Sequence, residues 1–152
     1  MLDPVLREAD VRYVYPVFAM VLLSFVVQGV LGLRRLRAIS ERTYPKGYFR
    51  LLQAPAGAEL PRQPQAAARN FINLFEVPVL FYALVPLLIL FGVESDLSRG
   101  LLWAFVGFRY LHSAIHVTVN KVRWRFGAYL AASLALLGAW LHLASVLWMR
   151  GG

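Results

Sequence analysis

The chain has 152 residues, 59% of them hydrophobic and 16% charged, with no cysteine and a formal charge of +8. A mean hydropathy of +0.58 is too apolar for a solvated surface or for disorder, and the length holds one domain at most. Without cysteine there is no disulfide scaffold, zinc ribbon, redox dithiol or cysteine nucleophile, so any sulfur chemistry arrives with a substrate.

The first predicted element is a membrane span over 14–33, a stretch without a charge. It matches the roughly 20 residues needed to cross a hydrocarbon core of about 30 Å. Before it, Asp3, Glu8 and Asp10 offset Arg7 and Arg12; directly behind it stand Arg34, Arg35 and Arg37. A cleaved signal carries its positive charge in front, so this segment is read as a retained anchor. An irregular but structured loop over 38–65 follows, punctuated by Pro45, Gly47, Pro55, Gly57, Pro61 and Pro64. Further spans are expected over 67–93, 100–119 and 125–149, with Pro78 and Pro86 bending the second and freeing backbone carbonyls. These runs are apolar on nearly all sides, whereas a soluble bundle helix has an apolar stripe and a charged back. The predicted fold is therefore an all-α integral-membrane bundle of four transmembrane helices, one domain over 1–152.

Charge gives the bundle a sidedness. Between spans one and two lie Arg34, Arg35, Arg37, Arg42, Lys46, Arg50, Arg62 and Arg69 against Glu41 and Glu59; between spans three and four lie Lys121, Arg123 and Arg125 with no acid. The remaining connection carries Glu94, Asp96 and Arg99. The positive-inside rule puts both basic loops in the cytoplasm and both termini outside. The basic excess is then membrane-side bias in contact with the lipid bilayer, and no nucleic-acid partner is expected. Tyr13, Tyr15, Trp103, Trp124 and Trp148 fall near span ends, as an aromatic belt should. Fourteen arginines against two lysines hint at GC-rich bacterial coding and an inner membrane.

Charges inside a membrane cost at least about 2.5–3.5 kcal/mol each on insertion scales, so those that remain need a reason. Span two carries Arg69, Asn73 and Glu76 at i, i+4, i+7; span three carries Arg109, His112 and His116 at i, i+3, i+7 with Ser113 alongside; span four opens with Arg125 and Tyr129. Given the orientation, all three polar faces meet at one depth in the cytoplasmic half. The blander readings are snorkelling of Arg69 and Arg125, a structural Glu76–Arg109 ion pair, and packing roles for the histidines, to which His142 in the outer half is assigned. A histidine pair on one helix is too little for a metal site, and none is assigned. Several arginines with one carboxylate and an amide suit a small zwitterion with two carboxylates and an amine, beside a lipophilic co-substrate arriving from the bilayer.

In order, Arg69-x-x-x-Asn73-x-x-Glu76, Arg109-x-x-His112-Ser113-x-x-His116 and Arg125-x-x-x-Tyr129 resemble the MAPEG family, membrane-associated proteins in eicosanoid and glutathione metabolism. The spacing is most similar to that of the microsomal glutathione transferases and microsomal prostaglandin E synthase. The resemblance implies a homotrimer binding glutathione as co-substrate between subunits near the cytoplasmic face. It implies glutathione contacts at Arg69, Asn73, Glu76, Arg109, His112, His116 and Tyr129, a thiolate-stabilising Arg125, and an arginine from the end of span one, Arg35 or Arg37, reaching in from the adjacent subunit. His116 stands where the family usually has tyrosine, and Phe126 where the prostaglandin synthase has a serine, which argues against prostaglandin synthesis. Two functions follow: a glutathione transferase or glutathione-dependent peroxidase for lipophilic electrophiles, or a non-catalytic relative that binds glutathione, lipid or a partner.

Overall fold

A computed structural model describes residues 8–48, 56–93 and 95–151, with side chains from residue 11 onward. Asp3, Arg7, Arg50, Pro55, Glu94 and the side chains of Glu8 and Asp10, used above for charge and loop assignments, lie outside the described residues. Among those described, the regular structure is helical: α1 (Glu8–Ser40), α2 (Arg62–Asn73), α3 (Pro78–Leu90), α4 (Asp96–Val117) and α5 (Val122–Gly151). Among the described residues, three stretches are long and apolar enough to cross a membrane: Val11–Ser40, Arg62–Leu90 across its break, and Val122–Gly151. α4 has 22 residues, so length does not exclude it; Arg109, His112 and His116 dilute its apolar character.

Helix ends and hydrocarbon ends do not coincide. α1 has 33 residues, about 50 Å at 1.5 Å per residue, well beyond a hydrocarbon core of about 30 Å. Arg34, Arg35 and Arg37 therefore sit on helix and not in the loop. The helix stops after Ser40, where Arg42 adopts φ +53° and the Thr43 N–H and hydroxyl both return to the Ala38 carbonyl at 3.0 and 2.9 Å. In the loop beyond, Tyr44 and Tyr48 stack with ring centroids 4.9 Å apart.

The second apolar stretch is two helices. Pro78 has no N–H to return to the Leu74 carbonyl, and its ring would clash there, so α2 ends at Asn73 and α3 restarts with Pro78 in its first turn. The i, i+4, i+7 face expected for Arg69, Asn73 and Glu76 is thereby corrected: Glu76 lies exposed in the connecting turn, off the helix that carries the other two. Pro86 is tolerated within α3.

α4 packs most extensively against α5, and α1 against α2. On α5 the buried alanines Ala128, Ala132, Ala135 and Ala139 form a small-residue face that permits close approach of α4. Phe81 and Phe105, both fully buried, stack at 4.9 Å and join α3 to α4. Only 28–33% of each membrane-length window is buried inside the chain, leaving most of their surface for lipid or neighbouring chains.

One end of the bundle is tied by polar side chains. Tyr13, expected in an aromatic belt, is instead 1% exposed. Its hydroxyl donates to the Val93 carbonyl at 2.8 Å and accepts from the Ser95 N–H at 2.9 Å. His142 meets the Ser95 hydroxyl at 3.1 Å, a structural role in keeping with its assignment to packing, and Arg150 donates to the Phe91 carbonyl at 2.5 Å. Tyr13→Phe should lower stability by about 1.5 kcal/mol, read as a lower thermal midpoint in detergent, because it leaves buried backbone groups unpaired.

Candidate functional site

At the other end, where α1 ends and α2 begins, the sequence places polar residues on α2, α4 and α5, and packing turns them toward one another. The inner face of α2 is set by Pro64, Ala67 and Asn70, all buried. The inner face of α4 includes Arg109, His112, Ser113 and His116, none more than 3% exposed.

Asn70 and Ser113 join the two helices, the Ser113 hydroxyl donating to Asn70 Oδ1 at 3.2 Å. Arg109 crosses to the end of α2 and donates from Nη2 to the Asn73 carbonyl at 2.5 Å. That carbonyl is free to accept because Pro78 has broken the helix, and a cation there also complements the negative end of the helix dipole. The guanidinium lies 5.9 Å from the Tyr129 ring. Its Nε and Nη1 find no partner among the described residues. Glu76 is near enough to act on Arg109 electrostatically, but no direct ion pair between the two forms. The structural ion pair considered from sequence is replaced by the helix-capping bond to Asn73.

The turn between α4 and α5 fixes the rest. Asn120 adopts φ +48°, a left-handed conformation that asparagine tolerates, and its N–H returns to the Ile115 carbonyl at 2.7 Å to close α4. α5 then starts at once, placing Arg125 in its first turn. Arg125 Nη1 donates to Asn120 Oδ1 at 2.7 Å and lies 3.3 Å from His116 Nε2. One turn earlier on α4, His112 donates from Nδ1 to the Arg125 carbonyl at 3.0 Å, which sets its tautomer. His112 lies 5.6 Å from His116 and 5.9 Å from Tyr129 between ring centroids.

These residues form two tiers. Arg62, Gln65, Ala66, Arg69, His116, Asn120 and Arg125 line an open cleft of about 280 Å³. Arg109, His112 and Tyr129 do not line the cleft, and Arg109 is fully buried. Arg35 and Arg37 are exposed and do not enter the cleft of their own chain; Arg37 pairs with Glu41 at 2.8 Å. From α1 it is Arg34 that reaches inward, donating to the Gln63 carbonyl at 3.3 Å and to the Val117 carbonyl, so that it ties α1 to the start of α2 and the end of α4. A separate groove of about 310 Å³ runs between α1 and α2–α3, lined by Val21, Ser24, Phe25, Gln28, Phe71, Phe75 and Tyr82.

Sequence reasoning misses Asn70 and Asn120 as members of this network, and of the arginines that end span one it favours Arg35 or Arg37 where Arg34 is the one that turns inward. Asn70 carried a usable signal, since it lies three residues after Ala67 and four before Leu74, on the face that packs inward. Asn120 carried none, because its role is set by a turn conformation, and the choice among Arg34, Arg35 and Arg37 is made by packing.

No curated protein and no solved structure matches the chain. The sequence model of the MAPEG family matches residues 13–145, which takes in every helix that builds this site. The chain belongs to the MAPEG family, membrane proteins of eicosanoid and glutathione metabolism.

Proposed function

We propose that the protein is an integral-membrane glutathione transferase or glutathione-dependent peroxidase acting on lipophilic electrophiles, with the glutathione thiolate held by Arg125. The observation that carries this reading is the arginine-rich cleft in which Arg125 and His116 stand together, backed by a buried polar layer on α2 and α4. Arg62 and Arg69 supply fork-shaped donors for the tripeptide carboxylates. The lipophilic partner is served by the apolar groove between α1 and α2–α3.

The working assembly in this proposal is a homotrimer in which α4 is the fourth span. Exposed apolar side chains along α1, α3 and α5 then face lipid or neighbouring subunits, and Arg35 or Arg37 reaches an adjacent subunit's site. Both termini lie outside, the cleft opens to the cytoplasm, and the membrane is a bacterial inner membrane. Loop charge supports that orientation.

A second reading, glutathione binding without turnover, is favoured by the partners that two of its arginines already hold, Asn73 for Arg109 Nη2 and Asn120 for Arg125 Nη1. Purified protein in detergent should conjugate glutathione to a generic aryl halide well above the uncatalysed rate. Calorimetric binding without conjugation would select the second reading, and neither binding nor conjugation would remove both.

A further inference from the structure

On the glutathione reading above, on which this inference rests, a thiol gives up a proton beside Arg125, and a guanidinium has no lone pair to take it. Five other residues line the cleft besides Arg125 and His116: Arg62 and Arg69 are cations, Gln65 and Asn120 are amides, and Ala66 is inert. Only His116 is a base at neutral pH. It is 2% exposed, and its Nε2 lies 3.3 Å from Arg125 Nη1. Because the guanidinium can only donate, Nε2 carries the lone pair, the ring is neutral, and the ring proton sits on Nδ1. Nδ1 is buried and has no hydrogen-bond partner in any other residue among those described.

We infer that His116 accepts the glutathione thiol proton. The S–H bond breaks and the proton passes to Nε2. Arg125 turns its N–H from the imidazole to the new thiolate, while Asn120 Oδ1 at 2.7 Å keeps the guanidinium in place. On conjugation to an aryl halide, the sulfur forms its bond to carbon and the halide leaves with its electron pair. The imidazolium then returns its proton to water, and the neutral ring is restored.

The groups around His116 make this uptake depend on the ligand. Arg125 faces it from α5, Arg62 and Arg69 from α2, and His112 from its own helix at 5.6 Å, while Arg34 of α1 is bonded to the next carbonyl along, that of Val117. All are cationic or neutral, so the empty cleft disfavours a charged imidazole. A tripeptide with two carboxylates and a developing thiolate reverses that balance. The proton therefore stays on the protein instead of entering the solvent.

Calorimetric titration of the full chain with glutathione, in two buffers of different ionisation enthalpy, counts protons released, and ultraviolet absorbance counts thiolate. The native chain should form thiolate while releasing much less than one proton for each. His116→Gln keeps an acceptor for Arg125 but holds no proton. It should form about threefold less thiolate at pH 7, the effect of raising the bound thiol pKa by about one unit from about 6.5, and release one proton per thiolate. S-methylglutathione, which has no thiol proton, measures what His116→Gln costs in peptide binding apart from any proton uptake. If His116→Gln fails to bind it, the native proton count alone decides. One proton released per thiolate by the native chain overturns the role of His116 and leaves the glutathione reading standing. Failure of the native chain to bind glutathione removes both.

Discussion

Arg125→Ala should slow glutathione conjugation about 25-fold at pH 7, with a deficit that grows toward about 100-fold below pH 6 and shrinks to about twofold at pH 8.5. The profile follows from the role proposed for the arginine. A thiol with its ordinary pKa near 8.5 is only a few per cent thiolate at pH 7, and the thiolate is the nucleophile. A cation within hydrogen-bonding reach favours the anion, and lowering the thiol pKa by about two units corresponds to about 2.7 kcal/mol. Once that preference is removed, the variant regains thiolate only as the solution approaches the ordinary thiol pKa, so the two rates converge at high pH.

The structure makes Arg125 well suited to the task. It stands in the first turn of α5, where unpaired backbone N–H groups and the helix dipole also favour an anion. Asn120 holds its guanidinium, and the bond from His112 to its carbonyl holds its backbone. Arg125→Lys keeps the charge but not the fork anchored on Asn120, and should fall between the two profiles. Parallel pH profiles for native and Arg125→Ala protein would dissociate the residue from the thiolate.

The sequence made the gross architecture legible because hydrophobic runs and loop charges are one-dimensional signals. The polar registers on α4 and α5 were legible for the same reason: Arg109, His112 and His116 do share one buried face. What escaped depended on where a backbone stops being regular. Periodicity was carried through Pro78 as though the helix merely bent, which put Glu76 on a face it does not share. Hydropathy ended the first span at Arg34, yet Arg, Leu, Ala and Ile are competent helix formers, and α1 continues to Ser40. Tyr13 resembled a belt residue because no local pattern announces acceptors some 80 positions away. The same polar side chains that draw attention to α4 also lower its hydropathy, so among the described helices of membrane length it is the one that falls short as a span.

The break before Pro78 is part of the site, and closing it should be costly. Pro78→Ala is expected to weaken glutathione binding about 10- to 100-fold while slightly raising helical content by circular dichroism. Alanine restores an N–H that can return to the Leu74 carbonyl and removes the clash that ends α2. The Val77 N–H can then take the Asn73 carbonyl, allowing α2 and α3 to run together. That takes from Arg109 the acceptor it now holds at 2.5 Å, while its Nε and Nη1 already lack partners. A hydrogen bond from a charged group is worth about 1.5–3 kcal/mol, and this energy sets the expected range in affinity. Arg109→Met tests the route. If Arg109 acts by holding the broken end of α2, both single variants disrupt the same contact, and the double variant should bind no more weakly than the worse single one. Fully additive losses would mean that Arg109 supports the tripeptide by some other path. Native affinity in Pro78→Ala would show that the break contributes nothing to binding.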